Sequence, residues 1–519
     1  MSERPATSLA DRPAGPAIVP ADLPGFAFTD LPTRIRAHGI ERPDAPALIA
    51  GETIISWGEL AAAMDRVAAH LTGLGVRRGD IVASIAGLTA DHLALYLGTL
   101  AAGACMAPLP GSAHADAIAG MLANCRPATL FVDASGRDAA GDAGGRDLDG
   151  LLAFRPAHTA PRPPAPVESD RFDIIYSSGT TGTPKGILHD HGFRARQAMR
   201  FAAYGYDADG ISLVSTPLYS NTTLAALLPS LAGGGTHILM PRFDAGGFLA
   251  LAARHRVTHA MLVPVQYRRI LAHPDFDGTD LSSFRVKLST SAPFPAPMLR
   301  EVLDRWPGRI VNNYGMTEGG VGCMLDAGAH PDKLHTVGRP VAGCTILILD
   351  REGHPLPQGE FGEVVGRSAT MMSGYLDDPD RTRDALWSSP EGDAYMRSGD
   401  MGRIDGDGFL CLMDRSRDMI NSGGFNVFPA DLEAVLATHP EVAEAAVIAI
   451  PDAEWGETPL AFVVPRGAPD PETLRIWANE RLGRTQRIAR IELRETLPRS
   501  DIGKVLKREL RAPYWDNRD

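Results

Sequence analysis

Segments with the periodicity of an amphipathic helix alternate with short apolar runs along this chain. Apolar residues recur three and four positions apart between Leu60 and Leu74, and a turn at residues 75–80 leads into the apolar run 81–85. The same order of helix and then strand returns at 248–255 and 260–265, and at 297–306 and 309–311. Because helices that alternate with buried strands cover the faces of a sheet, the pattern predicts an α/β fold with mostly parallel sheets.

The chain is longer than one ordinary domain, since 519 residues suit roughly two to four domains. Residues 1–24 are rich in proline and lack the basic start and apolar stretch of a secretory signal, so we expect a loose arm. Residues 155–166 contain five prolines and predict an extended connector. After Leu412, charged and turn-forming residues precede a helix that begins at Pro429, so about the last hundred residues predict a small domain.

Composition disfavours several classes of protein. The longest apolar run, residues 93–107, is shorter than the roughly 20 residues needed to cross a bilayer, so we expect a buried helix and no membrane span. Lysine and arginine number 51 and aspartate and glutamate 63, and the net charge of −12 disfavours nucleic acid as a partner. The five cysteines form no CxxC pair, which predicts neither disulfides nor a zinc site and favours a cytoplasmic location.

Glycine and hydroxyl residues are concentrated in the stretch Tyr-Ser-Ser-Gly-Thr-Thr-Gly-Thr-Pro-Lys-Gly at 176–186, which follows a strand-like run at 172–175. Glycines let the backbone approach a ligand, hydroxyls donate to phosphate oxygens, and Lys185 adds positive charge. Lys185 follows a proline and precedes a glycine, so the common P-loop pattern is not met. A solvated linker is the alternative interpretation. The predicted phosphate-binding residues are Ser177, Ser178, Gly179, Thr180, Thr181, Gly182, Thr183 and Lys185.

Further motifs follow this loop along the chain. They are Asn-Asn-Tyr-Gly-Met-Thr-Glu at 312–318, Ser-Gly-Asp at 398–400, Asp-Arg-Ser-Arg-Asp-Met-Ile at 414–420, Gly-Gly at 423–424, Pro-Ala-Asp-Leu-Glu at 429–433 and Pro-Arg-Ser-Asp-Ile-Gly-Lys at 498–504. In this order they resemble the adenylate-forming superfamily, which includes acyl- and aryl-CoA synthetases, adenylation domains and beetle luciferases. The resemblance implies a large domain, residues 25–416, with a β-subdomain, and a small mobile α+β domain, residues 417–519, with a hinge near Arg417.

The resemblance also implies an AMP-forming carboxylic acid–CoA ligase. ATP and a carboxylate would give acyl-AMP and pyrophosphate, and CoA would then take the acyl group as a thioester, with Mg²⁺ as the metal. Attack of a carboxylate on the α-phosphate brings anions together, so the site needs a cation where charge builds. The resemblance assigns that role to Lys504, the α-phosphate contact to Thr317 and the Mg²⁺ ligand to Glu318.

Residues for the adenosine part of ATP follow from the same resemblance. Tyr314 offers a face for adenine, and Asn312 or Asn313 can pair with the adenine edge, the family pattern favouring Asn312. Asp400 can accept both ribose hydroxyls, and Arg415 can donate to the same sugar. The residues implied outside the phosphate loop are Ser291, Ala292, Pro293, Asn312, Asn313, Tyr314, Gly315, Thr317, Asp400, Arg415 and Lys504.

The acid site departs from the family pattern. A histidine often follows the aromatic residue of the acid-site motif, but here Tyr219 is followed by Ser220. By analogy the acyl pocket is lined by Tyr219, Asn221, Val265, Gly315, Met316 and Val321. Apolar and aromatic walls suit an aryl, alicyclic or medium-chain acid, and the lack of an acidic partner for an amino group argues against an amino acid.

Transfer of the acyl group to CoA requires a second arrangement of the site. By the resemblance, rotation of the small domain about Arg417 withdraws Lys504 and brings in Gly423 and Gly424, which leave room for the pantetheine arm. Two alternatives stay open, an enzyme that loads a carrier-protein phosphopantetheine and a non-catalytic nucleotide-binding protein of the same fold. A second copy in a homodimer, and a lysine acetyltransferase and deacetylase acting on Lys504, are further candidate partners.

Overall fold

The computed structural model describes residues 22–154, 162–177, 185–415, 418, 420–422, 425–452, 455–483, 487–499 and 505–515. Helices and strands alternate along most of these ranges. The α-helices are α1 Leu31–Glu41, α2 Trp57–Gly73, α3 Ala90–Ala101, α4 Ala115–Cys125, α5 Arg137–Ala140, α6 His191–Ala202, α7 Asn221–Gly233, α8 Ala245–Arg254, α9 Pro264–Leu271, α10 Ala296–Arg305, α11 Pro379–Asp384, α12 Pro429–Ala437, α13 Pro471–Asn479 and α14 Lys507–Trp515.

The strands are β1 Pro46–Ala50, β2 Thr53–Ser56, β3 Ile81–Ile85, β4 Cys105–Leu109, β5 Thr129–Val132, β6 Arg146–Asp147, β7 Arg171–Ser177, β8 Lys185–Asp190, β9 Ile211–Val214, β10 Thr236–Leu239, β11 His259–Leu262, β12 Val286–Ser289, β13 Arg309–Gly315, β14 Gly322–Asp326, β15 Arg339–Pro340, β16 Cys344–Leu349, β17 Gly362–Ser368, β18 Gly374–Tyr375, β19 Leu386–Ser388, β20 Ala394–Ile404, β21 Leu410–Arg415, β22 Ile420–Ser422, β23 Phe425–Val427, β24 Val442–Asp452, β25 Gly456–Pro465 and β26 Arg490–Leu493.

Four sheets organise these strands. The first has the order β15-β14-β13-β12-β11-β9-β10-β1-β2 and is parallel from β13 to β1. The second has the order β18-β8-β7-β4-β3-β5-β6 and is parallel from β7 to β6. The third, β16-β17-β20-β19 with β21 beside β20, is antiparallel and forms the β-subdomain. The fourth, β23-β22-β25-β24 with β26 beside β25, lies after residue 420. This architecture confirms the predicted fold class.

Helix α2 shows how the local sequence produces this architecture. Ser56 and Glu59 form a reciprocal capping box at its start, which satisfies main-chain donors that the first turn leaves without partners. The periodic apolar face is buried, and the next strand, β3, is buried throughout. The helix, turn and strand predicted between Leu60 and residue 85 are therefore confirmed.

The apolar run at residues 93–107 was wrongly predicted to be one buried helix. Helix α3 ends at Ala101, and β4 begins at Cys105 and pairs in parallel with β3. Gly103 has a φ of +75°, the left-handed conformation that ends a helix and that glycine adopts without strain. A strand buried on both faces has the same apolar composition as a buried helix, so periodicity alone did not separate the two.

The other predicted elements are found with small differences in length. The pairs α8 with β11 and α10 with β13 occupy the predicted segments, and β24 and β25 form the strands expected in the last hundred residues. The strand predicted over 260–265 ends at Leu262, because Pro264 begins α9 and places Val265 in a helix.

The proline-rich connector does not separate two sheets. Strand β7, which follows residues 155–166, pairs with β4, which precedes them, through Met106 and Asp173. Both sides of the connector therefore contribute to the second sheet. None of the helices in the described ranges is long and apolar enough to span a bilayer.

Close packing of α3 on α2 depends on Gly98. A Cβ at this position would lie 2.4 Å from Val67 Cγ1 and 3.2 Å from the main-chain oxygen of Met64. We expect Gly98→Ala to destabilise the protein by about 1–3 kcal/mol, because the two helices must move apart. Gly120→Ala in α4, where a Cβ would meet no atom within 4 Å, should instead stabilise by about 0.5–1 kcal/mol. Urea unfolding of both variants measures this difference, and equal stability would contradict the packing argument.

Candidate active site

Residues predicted for adenine and ribose converge where β13 meets the β-subdomain. The Tyr314 hydroxyl donates to Asp400 Oδ2 at 2.6 Å, and Asp400 lies opposite Arg415 in the pair β20–β21. Burial and the negative charge of Asp400 raise the pKa of Tyr314, so its hydroxyl stays protonated and acts as the donor. The bond fixes the tyrosine ring and orients one carboxylate oxygen of Asp400.

The two adjacent asparagines of β13 point to opposite sides of the strand. Asn312 is 5% exposed. Asn313 Nδ2 donates to the main-chain oxygens of Ser289 and Val311 at 3.2 and 3.3 Å. Its buried Oδ1 has no hydrogen-bond partner in the described part of the chain, so this oxygen can accept from an amino group of a ligand.

One tyrosine connects the predicted Mg²⁺ ligand with the phosphate-loop lysine. The Tyr375 hydroxyl donates to Glu318 Oε1 at 2.8 Å, and the Nζ of Lys185 lies 5.2 Å from the centre of the Tyr375 ring. Burial and the charge of Glu318 raise the pKa of Tyr375, which keeps the hydroxyl a donor. Sequence reasoning missed Tyr375, because it lies 57 residues after Glu318 and a lone Gly-Tyr pair indicates no chemistry.

The residues around Glu318 fit a metal that arrives with a nucleotide. Glu318 is 9% exposed. Within the described ranges, no group of three or more histidine, cysteine, aspartate or glutamate residues could hold a metal ion. Mg²⁺ is often held by one or two carboxylates together with substrate phosphates, so a single glutamate facing a triphosphate suffices.

A buried charged cluster lies behind these residues. Asp173 accepts from Tyr96 Oη at 2.7 Å and from Arg194 Nη2 at 2.9 Å, and His189 Nδ1 lies 2.7 Å from it. His189 Nε2 donates to the main-chain oxygen of Thr317 at 2.7 Å, since a carbonyl can only accept. The strand that precedes the phosphate loop, the strand that follows it and the Thr317 segment are thus held by one carboxylate.

Sequence reasoning missed this cluster. Asp173 was included in a strand-like run, and His189 was not assigned a role. The signal that could have found the cluster is a single charged residue in an otherwise apolar strand, because such a group requires buried partners.

The start of α7 lies between this cluster and the predicted adenine segment. Arg194 Nη1 donates to Asn221 Oδ1 at 2.7 Å, and the Thr222 hydroxyl lies 2.5 Å from the Ser291 hydroxyl. Ser220, at the position of the missing histidine, is buried and caps the helix by accepting from the Thr222 amide. Asn221 and Ser291, predicted for acid and nucleotide, are therefore close neighbours.

The remaining predicted pocket residues differ in their surroundings. Val321 is 4% exposed and packs in the core of the β-subdomain, and Met316 is partly buried against the same core. Tyr219 and Val265 are half-buried and Gly315 is exposed.

Some predicted site residues are described only in part. Ser177 is described only as the strand partner of Lys185, and Arg415 only as the partner of Asp400. The residues outside the described ranges are Ser178, Gly179, Thr180, Thr181, Gly182, Thr183, Arg417, Gly423, Gly424 and Lys504.

Strand β24 contacts the large N-terminal part of the chain, and the segment that precedes Lys504 contacts β24. Arg268 of α9 forms an ion pair with Glu444 of β24, and Glu444 also accepts from Arg499. Arg499 pairs with Val505 in an isolated bridge, and the Leu506 amide donates to the main-chain oxygen of Pro498 at 2.8 Å.

In this α/β fold, the residues predicted for adenine and ribose lie together where β13 meets the β-subdomain, as expected for an enzyme that uses a nucleotide. The chain belongs to the AMP-binding enzyme family, whose model matches residues 35–376; the model of the AMP-binding enzyme C-terminal domain matches residues 431–504. The predicted membership of the adenylate-forming superfamily is confirmed.

Known relatives cover almost the whole chain. It is 35% identical to feruloyl-CoA synthase from Amycolatopsis sp over 91% of this chain and 96% of that protein. It is 31% identical to indoleacetate–CoA ligase from Aromatoleum aromaticum over 93% of this chain and 98% of that protein.

A solved structure shows the same similarity. The o-succinylbenzoate CoA synthetase (MenE) from Bacillus subtilis, in complex with the acyl-adenylate intermediate OSB-AMP, superposes with a TM-score of 0.83 at 27% identity, covering 93% of this chain and 98% of that one. The predictions of an AMP-forming acid–thiol ligase, and of ATP, Mg²⁺ and CoA as its cofactor and substrates, are confirmed at the level of the family.

The charged cluster makes a testable contribution to stability. Burial alone would raise the pKa of Asp173, but the charge of Arg194 and the hydrogen bond from His189 lower it to about 2. Asp173→Asn should cost about 3–5 kcal/mol at neutral pH, because the buried Arg194 loses its counter-charge. The cost should shrink as pH falls from about 4 towards 2, because Asp173 then becomes protonated in the folded state as well as in the unfolded state.

Urea unfolding across this pH range measures the effect. Asp280→Asn is the matched control. Asp280 is exposed, forms an ion pair with Arg256 at 3.7 Å and accepts from the Ser282 amide at 3.0 Å, a bond that asparagine can keep, so the substitution should change stability little. A cost of Asp173→Asn that did not shrink between pH 4 and pH 2 would contradict the argument.

Proposed function

We propose that the chain is an aryl-acid ligase, which joins an aromatic carboxylate first to AMP and then to CoA. The relatives named feruloyl-CoA synthase and indoleacetate–CoA ligase support an aromatic acid. The half-buried Tyr219 and Val265 offer flat and apolar surface of the kind that accommodates a ring.

The observation that carries the proposal is the contact of Arg268 with Glu444 and, through it, with Arg499. Helix α9 carries both Arg268 and the predicted pocket residue Val265. Arg499 lies five residues before Lys504 in the sequence. The contact therefore joins α9 to the segment that precedes Lys504 in the sequence, and this supports the proposal that Lys504 acts on the acid in the first half-reaction.

In that half-reaction, an oxygen of the ionised acid attacks the α-phosphorus of ATP. A new carboxyl oxygen–phosphorus bond forms, the bond to the bridging oxygen breaks, and pyrophosphate leaves with the electron pair. No general base is needed, because the acid is already ionised at pH 7. Lys504 offsets the charge that builds between the carboxylate and the phosphate.

Two side chains of this protein hold the phosphate-facing segment in place. His189 fixes the main chain at Thr317, and Tyr375 orients the carboxylate of Glu318. Mg²⁺, when bound to Glu318, would neutralise part of the triphosphate charge. Thr317 would then donate to the α-phosphate from a segment that cannot shift without breaking both contacts.

In the second half-reaction, the CoA thiolate attacks the acyl carbonyl carbon. The carbon–sulfur bond forms, the carbon–oxygen bond to AMP breaks, and AMP leaves. We propose that the small domain, residues 417–519, turns about Arg417, so that Lys504 withdraws and Gly423 and Gly424 admit the pantetheine arm. The Arg268–Glu444 contact would break during this turn.

The cellular setting is a further part of the proposal. All five cysteines are free, which supports a cytoplasmic location. A homodimer is proposed as the oligomeric state. Acetylation of Lys504 would remove its charge and block adenylation, so an acetyltransferase and a deacetylase are proposed as regulators.

A panel of acids tests the proposed function. Pyrophosphate release would be measured with benzoates, hydroxycinnamates, cyclic acids and linear acids, with and without CoA. We expect an aromatic acid to give the highest kcat/KM and a CoA thioester to form. A preference for linear acids would refute the aryl assignment, and turnover only with a purified carrier protein would refute CoA as the acceptor.

Lys504→Ala separates the two half-reactions. Acid-dependent exchange between ATP and pyrophosphate should fall by roughly 100- to 1000-fold, because the transition state loses its cation. Thioester formation from supplied acyl-AMP and CoA should change little, because Lys504 is withdrawn in that step. Arg508→Ala, an exposed cation of the same tail, is the control and should leave both half-reactions intact. Equal loss of both half-reactions in Lys504→Ala would reject this division of roles.

A further inference from the structure

The orientation of the Asn221 amide is determined by a buried arginine. Arg194 is 2% exposed and donates from Nη1 to Asn221 Oδ1 at 2.7 Å. A guanidinium group has donors and no acceptor, so only the amide oxygen can face it. The amide NH₂ of Asn221 must therefore point the other way.

Arg194 cannot easily turn to release this amide. Its Nη2 lies 2.9 Å from Asp173 Oδ1 and 2.8 Å from Oδ2, and its Nη1 also donates to Gln197 Oε1 at 2.8 Å. The planar guanidinium is thus held at both ends, with Asp173 fully buried behind it. A guanidinium group held in this way loses little conformational entropy when it binds a further acceptor. Arg194 therefore holds the Asn221 amide in one orientation.

Asn221 is one of the residues predicted for the acyl pocket, so its amide NH₂ is available to an acid bound there. Asn221 is half-buried at the start of α7, beside Thr222, which contacts Ser291 of the predicted adenine segment. In the described part of the chain, no acceptor lies within hydrogen-bonding distance of Asn221 Nδ2. The side chains of Tyr219 and Val265, two further residues predicted for the pocket, are mainly aromatic and aliphatic.

We propose that Asn221, oriented by Arg194, determines which acids this enzyme selects, by donating a hydrogen bond to an oxygen on the body of the acid. The substrate class is then an aromatic acid with a hydroxyl, methoxy or carbonyl oxygen, rather than an unsubstituted ring. An unsubstituted acid would bury the amide NH₂ of Asn221 without accepting a hydrogen bond from it. Binding would then be weaker, because the NH₂ loses its water and gains no partner. This inference rests on the proposed function, and Arg194 acts in it as a positioning residue.

Pairs of acids that differ only in the oxygen substituent test the inference. Cinnamate, 4-hydroxycinnamate and 4-methoxycinnamate would be compared by kcat and KM for pyrophosphate release. The wild-type enzyme should prefer the oxygenated acids by roughly tenfold or more in kcat/KM. In Asn221→Leu this preference should vanish through a higher KM for the oxygenated acids, while kcat/KM for cinnamate is kept or rises.

Two further variants separate hydrogen bonding from packing. Asn221→Asp keeps an oxygen for Arg194 but replaces the donor by an acceptor, so it should retain the hydroxylated acid and lose the methoxylated one. Gln197→Leu removes the other acceptor of Arg194 Nη1 and is the control, in which the preference for oxygenated acids should persist.

The outcomes distinguish this inference from the proposed function. If no acid is converted to a CoA thioester, the proposed function fails. If acids are converted but Asn221→Leu lowers kcat/KM equally for all three, Asn221 is structural and only this inference is overturned. Retention of the methoxylated acid by Asn221→Asp would also overturn it.

Discussion

A single carboxylate in the core, Asp173, holds the catalytic part of this protein together. Removing a charge from water costs several kcal/mol, and the cost is offset only when partners are placed with good geometry. Arg194 and His189 provide those partners, and they bring the pKa of Asp173 down to about 2 although burial alone would raise it. Strands β7 and β8, which border the phosphate loop, therefore cannot shift against α6 without exposing an unpaired charge to an apolar interior.

The partners of Asp173 also contact residues that are predicted to bind the two substrates. His189 contacts the main chain of Thr317, which is predicted to bind the nucleotide, and Arg194 contacts the amide of Asn221, which is predicted to line the acid pocket. Each link uses a group whose role is determined by chemistry, since a carbonyl must accept and a guanidinium must donate. One buried ion pair thus supports a residue predicted for each of the two substrates.

The parts of this site that could be predicted from the sequence are those in which the residues of one motif are consecutive along the chain. The phosphate loop, the segment at 312–318 and the Lys504 motif could be predicted because each combines several special residue types in succession, and their roles stay predictions. The contacts of Asp173 were missed because His189 and Arg194 lie 16 and 21 residues away, and only the fold brings them together. Asn221 was predicted as a pocket wall, but its orientation depends on Arg194, which the pattern of the acid-site motif does not contain.

The ion pairs of Glu444, which connect α9 with the segment that precedes Lys504, are more exposed to water than the ion pair in the core. Arg268 and Arg499 share Glu444, with side chains 41%, 26% and 18% exposed respectively. Partly exposed ion pairs contribute only about 0–1 kcal/mol, because water competes for the charges. A contact of that strength suits the rotation that we propose, since a closed arrangement held by a buried pair would resist opening in every cycle. Strong charge pairing in the core and weak charge pairing at this contact therefore match the two properties that the proposed mechanism requires, a rigid substrate site and a small domain that turns.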